Sequence, residues 1–401
     1  MSDPGRVLAL NCGSSSVKLA LIDPATGERS LTALAERVGA SGTVVTVRRG
    51  DGVSTETPSD GTHRGVVAHL VSDLRDDERA GLLGVGHRVV HGGPDFRESV
   101  LVDDDVVRRI GDVAGLAPLQ VPGNLAGIEA ARAELPGVVN VVVFDTAFHA
   151  TLPEVAYRYA VPEAWYADLG VRRYGFHGIS HRYVSARAAE MLGAPLADLR
   201  MVTMHLGNGC SAAAVKGGVS VDTTMGLTPL EGLVMGTRSG DIDPGVLGYV
   251  ASRSGLRLEQ VVDELNLRSG LLGLSQQSND MRTLTEAAEQ GSTAARLAID
   301  VFCYRAAKAV GALSVPLGGL DVLVLTGGIG EHSAVARAGI LEHLGGLGLV
   351  VEEAANAVHG AGTTGRISRG EHPVALVVPT DEELVIARDT AALASAALRG
   401  S

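Results

Sequence analysis

The sequence predicts an α/β protein built as two similar lobes, and three stretches carry that expectation. The first runs from Leu8 to Asp23, where an apolar run enters the polar turn Asn11-Cys-Gly-Ser14-Ser-Ser16 and an alternating apolar run leaves it through Lys18. That is the pattern of strand, turn and strand. The second, Met201 to Lys216, repeats the device: apolar run, Asn/Gly/Cys/Ser turn, small residues, lysine. Asn11 and Asn208 stand about half of the 401 residues apart, so the recurrence reads as a domain-length duplication. The third is Val322-Leu-Val-Leu-Thr-Gly327-Gly328-Ile329-Gly330-Glu331, a buried-type strand ending in glycines before a helix opened by Ser333. In the two hairpins, small residues let a large anion approach the backbone, while hydroxyls, amides and a lysine supply donors and charge. One such turn alone reads equally well as an ordinary Ser-rich hairpin; three turns together favour phosphate.

Composition narrows the classes. A chain of 401 residues exceeds one core, so two domains are expected, and 45% hydrophobic with 20% charged residues fits a globular protein. The formal charge of −12 argues against nucleic acid as a general partner and requires any anion site to be built from local cations and amides. No apolar run reaches membrane-span length and no basic-then-apolar leader is read, so no membrane association is expected. Three separated cysteines, Cys12, Cys210 and Cys303, make a disulfide framework unexpected and point to a reduced, cytoplasmic protein. Nine of the 13 aromatic residues lie between Phe144 and Tyr183, which fits either a locally aromatic core or dimer surface, or a substrate-pocket wall where the lobes join.

In chain order, residues 7 to about 50 read as a hairpin and further strands, 51–65 as a polar surface loop, and 66–83 as a helix. A short strand leads through Arg88, a helix covers 125–135, and a buried strand covers 138–144. The first domain ends just past Asp145, and the second starts near Thr151. In it, 261–278 reads as a helix followed by a polar loop and 297–313 as a long helix; a last helix covers 382–398.

Further motifs carry a family resemblance. Asn11-x-Gly-Ser14-Ser-Ser16-x-Lys18, Gly86-His-Arg88-Val-Val90-His-Gly-Gly, Phe144-Asp145-Thr-Ala-Phe-His149 and Tyr174-Gly-Phe176-His177-Gly-Ile-Ser-His181 are similar to acetate kinases. So are His205-Leu206-Gly207-Asn208-Gly209, Gly236-Thr-Arg238-Ser-Gly-Asp, Gly327-Gly-Ile-Gly-Glu331 and Thr380-x-Glu382-Glu383-Leu, all in the family's order from residue 7 to about 390. The resemblance implies two duplicated actin-like, ribonuclease-H-like lobes, each a mixed sheet flanked by helices, with an interlobe active-site cleft. It implies an N-terminal lobe of 1–148 plus 383–401, with the last helix crossing back to it, and a C-terminal nucleotide-binding lobe of 149–382.

It also implies the reaction: reversible transfer of the γ-phosphoryl group of ATP to acetate, giving acetyl phosphate and ADP, with Mg2+ or Mn2+, in a homodimer. Such transfer needs charge neutralisation and alignment, and a carboxylate nucleophile is already ionised at neutral pH. Asp145 is therefore expected to act electrostatically or to position the metal, the alternative being a strand-end aspartate capping the next turn. A planar guanidinium matches a carboxylate or phosphoryl group bidentately; by resemblance Arg88 holds acetate, while Arg238 and His177 brace the transferring group. The resemblance places Val90, Leu119, Phe176 and Pro229 around the methyl group. Asn11 and Glu382 are the metal positions, and Glu383 is read as closing a helix capping box with Thr380. The nucleotide is expected against Ser14, Ser16, Lys18, His205–Gly209, Asp280, Met281, Arg282, Gly328, Ile329, Gly330, Glu331 and His332.

His177 and His181 have the i, i+4 spacing of a zinc helix but lack its glutamate, so zinc is rejected; His181 and His205 read as core or surface fillers, His205 also as support for the nucleotide loop. The chain departs from the family at Gln120-Val121, His332 and Asp381, which bears on the acyl pocket and the metal's surroundings. A propionate or butyrate kinase is the alternative within the class. A nucleotide-dependent binding module of the actin or chaperone type is the alternative outside it.

Overall fold

The computed structural model describes residues 5–400, so positions 1–4 and 401 of the expected lobe limits lie outside the described residues. The chain forms two compact units, Met1–Phe148 with Asp381–Ser401, and His149–Thr380.

The first unit is organised on an eight-stranded mixed sheet. Its strands are β1 (Arg6–Cys12), β2 (Ser16–Ile22), β3 (Arg29–Glu36), β4 (Val44–Arg49), β5 (Gly52–Glu56), β6 (Leu82–Val89), β7 (Val100–Leu101) and β8 (Asn140–Phe144), in the order β5-β4-β3-β2-β1-β6-β8-β7. The central strands are near-continuous apolar runs because both faces are covered. On one face Leu8, Leu10 and Cys12 pack with Val66, Val67 and Leu70 of the helix His63–Ser72 and with Ala130 and Ala131 of the helix Val121–Glu134. On the other, the C-terminal helix Glu382–Gly400 lies against β6 so closely that a Cβ on Gly86 would meet Thr390 Oγ1 at 2.3 Å. The glycines of Leu-Gly-Val-Gly-His-Arg88 are there to admit that helix.

The second unit repeats the plan. β9 (Arg200–Leu206), β10 (Cys210–Lys216), β11 (Val219–Thr223), β12 (Val322–Thr326) and β15 (Val374–Val377) form a sheet in the order β11-β10-β9-β12-β15; β13 (Val350–Val351) and β14 (Ser368–Arg369) make a separate pair. In both sheets two antiparallel pairings are followed by two parallel ones: β3-β2-β1-β6-β8 in the first and β11-β10-β9-β12-β15 in the second. The helices Gly178–Leu192 and Thr293–Leu317 flank the second sheet. The duplication therefore extends from the hairpin turn to the whole sheet.

Local expectations needed three corrections. The loop at 51–65 contains the exposed edge strand β5, because Gly52 starts a hairpin return along β4. The helix expected to 83 ends at Ser72; a short helix Asp76–Ala80 follows, and β6 already begins at Leu82 because its parallel pairing with β1 claims those residues. The helix and polar loop expected over 261–278 are two helices, Leu258–Leu267 and Gly270–Ser275. They divide at Gly270 (φ 62°), where a Cβ would lie 2.2 Å from Met235 O.

Candidate active site

In the first unit, sheet register assembles the polar residues. Asn11 is paired in register with Lys18 on β2 and with Arg88 on β6, so the three side chains share one face at one level. It is the face on which the C-terminal helix packs. Asp145, just past β8, receives Arg88 in a two-pronged contact, Nε to Oδ1 at 2.9 Å and Nη2 to Oδ2 at 2.6 Å; Nη1 donates to Asn11 Oδ1 at 3.3 Å. Asp145 is 1% exposed. Burial opposes the charge of Arg88, but the carboxylates of Asp145 and Glu382 together raise its pKa above the ordinary arginine value. Glu382 thus acts on the group from the first turn of the last helix. Ser14 and Lys18 are exposed and Ser16 half-buried at the β1–β2 turn, where Gly13 N–H donates to Ser16 O at 2.8 Å.

Two residues whose supporting roles sequence reasoning missed hold this group in place. Asn124, on the buried side of the helix Val121–Glu134, donates to Cys12 O at 2.6 Å and accepts from Val90 N–H at 3.1 Å, tying the hairpin turn to the strand end at Val90. Its signal was an asparagine on an apolar helix face. The neighbouring departure is a packing choice: Val121 is fully buried, while Leu119 stays 55% exposed. Asp381 is the second. Its carboxylate accepts from Leu384 N–H at 3.0 Å, capping the last helix, and pairs with Arg29. The cap is therefore Asp381 and not the expected Thr380–Glu383 box; Glu383 reaches Arg29 at 3.4 Å. Asp381→Ala should lower stability by about 0.5–2 kcal/mol through the lost cap, and Glu383→Ala by less than about 1 kcal/mol, as expected of a partly exposed pair. Thermal unfolding of both variants checks the order, and a larger loss for Glu383→Ala would reverse the assignment.

In the second unit the β9–β10 turn is the focus. Asn208 is fixed by Asn279, whose Nδ2 donates to its Oδ1 at 2.9 Å, and Gly236 N–H donates to Asn208 O at 3.0 Å. Gly207 and Asn208 line a cavity of about 610 Å³ together with Asn279, Asp280, Met281, Arg282, Thr285, Gly328, Ile329 and His332. Asp280 caps the helix Met281–Glu289 through Thr283 N–H (2.8 Å), and Gly327, at φ 76°, starts the short helix Gly327–His332 where a Cβ would strike Leu206 O at 2.8 Å. Glu331 turns from the cavity and accepts from the N–H groups of Gly327 (3.0 Å) and Thr380 (3.2 Å). Among the nucleotide positions read from sequence, His205, Leu206, Gly209, Gly330 and Glu331 support the cavity from outside its lining, while Ser14, Ser16 and Lys18 belong to the first unit. Asn279 and Thr285 line it without having been expected.

Beside that turn stand two further side chains. A methyl group placed on Gly209 would lie 3.4 Å from His177 Nε2 and 3.5 Å from Arg238 Nη1, so both groups stand against that glycine. Arg238 is half-buried and donates to Pro229 O at 3.0 Å; among the described residues no carboxylate pairs with it, and burial lowers its pKa below the ordinary value. A desolvated cation without an anion is poised to receive one. Phe176 is 1% exposed, with its carbonyl 3.1 Å from His149 Nε2. The nitrogens of His181 go to Thr203 and Ser211, and those of His149 to Ser220 and Phe176 O. The three cysteines are buried, and burial pushes each thiol up to about 12.

The repeated sheet, a cavity at the turn of its second copy and an Arg238 with no carboxylate partner among the described residues define a duplicated α/β protein with a candidate anion site. The Acetokinase family model matches residues 6–388, and the chain belongs to that family. It is 52% identical to the acetate kinase of Deinococcus radiodurans over 387 residues, covering 96% of this chain and 97% of that one. Among solved structures, the Porphyromonas gingivalis acetate kinase superposes with a TM-score of 0.89 at 42% identity, covering 97% of this chain and 99% of that one. A propionate kinase from Francisella tularensis superposes with a TM-score of 0.91 at 39% identity, covering 96% and 98%. Among the described residues no helix is long and apolar enough to cross a membrane.

Proposed function

We propose that this chain is an ATP:acetate phosphotransferase, reversibly converting acetate and ATP to acetyl phosphate and ADP. The observation that carries the reading is the proximity of both His177 Nε2 and Arg238 Nη1 to Gly209, in the turn whose Gly207 and Asn208 line the cavity. A carboxylate oxygen forms the new bond to the γ-phosphorus while the bond to the β–γ bridging oxygen breaks and ADP leaves. No base is needed, since acetate is already ionised. Arg88 holds the carboxylate, and Asp145 keeps its guanidinium charged, planar and oriented. Arg238 and His177 stabilise charge redistributed onto the transferring group's oxygens. Val90, Leu119, Phe176 and Pro229 are assigned to the methyl group.

The donor set fits magnesium. Asn11 Oδ1 retains a second lone pair beside its contact with Arg88, and Glu382 supplies a carboxylate, few protein oxygens being what this ion prefers. Mg2+, or Mn2+, held there supplies charge neutralisation of the nucleotide phosphates. A cytoplasmic homodimer completes the proposal.

Trapping acyl phosphate with hydroxylamine, while the acid and the nucleotide are varied, tests it. One methylene in a small apolar pocket is worth about 1–3 kcal/mol, so acetate should lead propionate modestly and butyrate by more. Equal efficiency for the three acids would overturn the acetate assignment, and a lead for propionate would favour the reading suggested by the Francisella neighbour. ATP hydrolysis indifferent to every acid would leave the binding module.

A further inference from the structure

His177 is tied into a buried chain of polar groups that the proposed chemistry does not by itself require. Its Nδ1 lies 2.9 Å from Ser211 Oγ; the same oxygen lies 2.8 Å from His181 Nε2, and His181 Nδ1 lies 2.8 Å from Thr203 Oγ1. Thr203, His181 and Ser211 are all fully buried. Ser211 has one proton and faces two ring nitrogens, so it donates to one ring and must accept from the other.

Thr203 decides the direction. Its hydroxyl has His181 Nδ1 as its hydrogen-bond partner among the described residues. If His181 carried its proton on Nδ1, the Thr203 O–H would be a buried donor with no acceptor, the costly arrangement in a protein interior. If Thr203 donates to His181 Nδ1, every proton has a place: His181 Nε2–H donates to Ser211, and Ser211 O–H donates to His177 Nδ1. We propose that Thr203, His181 and Ser211 form a one-way hydrogen-bond chain that fixes His177 as the neutral tautomer with its proton on Nε2, and that Ser211 and His181 are positioning residues for phosphoryl transfer.

The surroundings support that direction. Burial, with the like-charge influence of His149 and His205, holds the pKa of His181 well below the ordinary histidine value, so it enters the chain uncharged. His149 stands edge-on to His181 at 5.7 Å and has its own partners in Ser220 Oγ and Phe176 O. His205 stacks on His177 at 4.3 Å, its Nδ1 2.8 Å from Ser180 Oγ, which is 2.8 Å from Thr380 Oγ1. The chain places the proton of His177 on Nε2, which with Arg238 Nη1 flanks Gly209. There it is a preset donor, needing no rearrangement as charge develops.

This inference rests on the kinase reading only for its catalytic half, and the test separates the two. Imidazole ¹⁵N spectra of histidine-labelled protein, with His177 assigned from a His177→Gln variant, should show a neutral ring protonated on Nε2 and bare on Nδ1. Ser211→Ala should mix the tautomers and lower kcat by about tenfold or more, the scale on which loss of an orienting partner is felt, while nucleotide affinity measured by titration stays within about twofold, as expected if ground-state binding is untouched. His181→Gln, whose amide N–H can replace Nε2–H, should recover the tautomer and most of the turnover that His181→Leu loses. A wild-type His177 protonated on Nδ1 overturns the proposal whatever the enzyme does. So does Ser211→Ala with unchanged spectrum and kcat. Should Ser211→Ala fail to fold, the wild-type spectrum and the two His181 variants decide the matter.

Discussion

Arg238→Ala should lower kcat for acetate-dependent phosphoryl transfer by about 10³-fold or more, the value of a positioned arginine in this chemistry. The KM values for acetate and nucleotide change by less than about threefold, because the interaction lost is made mainly in the transition state. The expectation rests on how Arg238 is kept. Arg238 is half-buried, its guanidinium is held by the carbonyl of Pro229, and it has no carboxylate partner among the described residues, so burial penalises its charge. Arg238→Lys keeps a charge but loses the fork, and should recover only part of the rate. Steady-state kinetics with both substrates varied makes the measurement. An alanine variant with near-normal turnover would make Arg238 a structural residue and remove the observation on which the kinase reading stands.

Arg88→Ala gives a different signature. In the proposed role Arg88 meets the acid before and during transfer, so KM for acetate should rise as kcat falls. It also removes one side of the Arg88–Asp145 ion pair, whose carboxylate is 1% exposed, and breaking a buried pair in this way costs about 3–5 kcal/mol of stability. The double variant Arg88→Ala with Asp145→Asn also removes the carboxylate's charge, and should regain part of the stability while regaining none of the activity. Unfolding midpoints and acetate titrations of the two variants distinguish these effects. Unchanged KM for acetate in Arg88→Ala would place the carboxylate elsewhere, and unchanged stability would mean that Asp145 has another compensating partner.

Much of the fold was legible because local chemistry and tertiary role coincide. The two Asn/Gly/Ser turns announced the two hairpins, and the apolar runs of β1, β8, β9 and β12 read as buried strands because each is covered on both faces. Ser333 opened its helix as expected, accepting from Ala336 N–H at 3.2 Å. The errors fell where a distant strand or backbone overrode a local preference: β5 is stabilised by β4 and not by its own polar, glycine-containing residues, and β6 takes its start from β1.

The sequence by itself determined the duplicated plan, the turns that present backbone to an anion, and the residue types available for phosphoryl transfer. Each of these is written within a short stretch, where alternation, glycine placement and motif spacing act directly. Tertiary structure alone decided which groups meet. Sheet register put Lys18, Asn11 and Arg88 in one row, Asp381 displaced Thr380 as the cap of the last helix, and Asn124, Asn279 and Ser211 became supports at separations in sequence that no local pattern encodes. Above all, it decided protonation. The direction of the hydrogen bonds through Ser211 depends on a buried hydroxyl at Thr203, on the next strand of the sheet, having no other acceptor among the described residues.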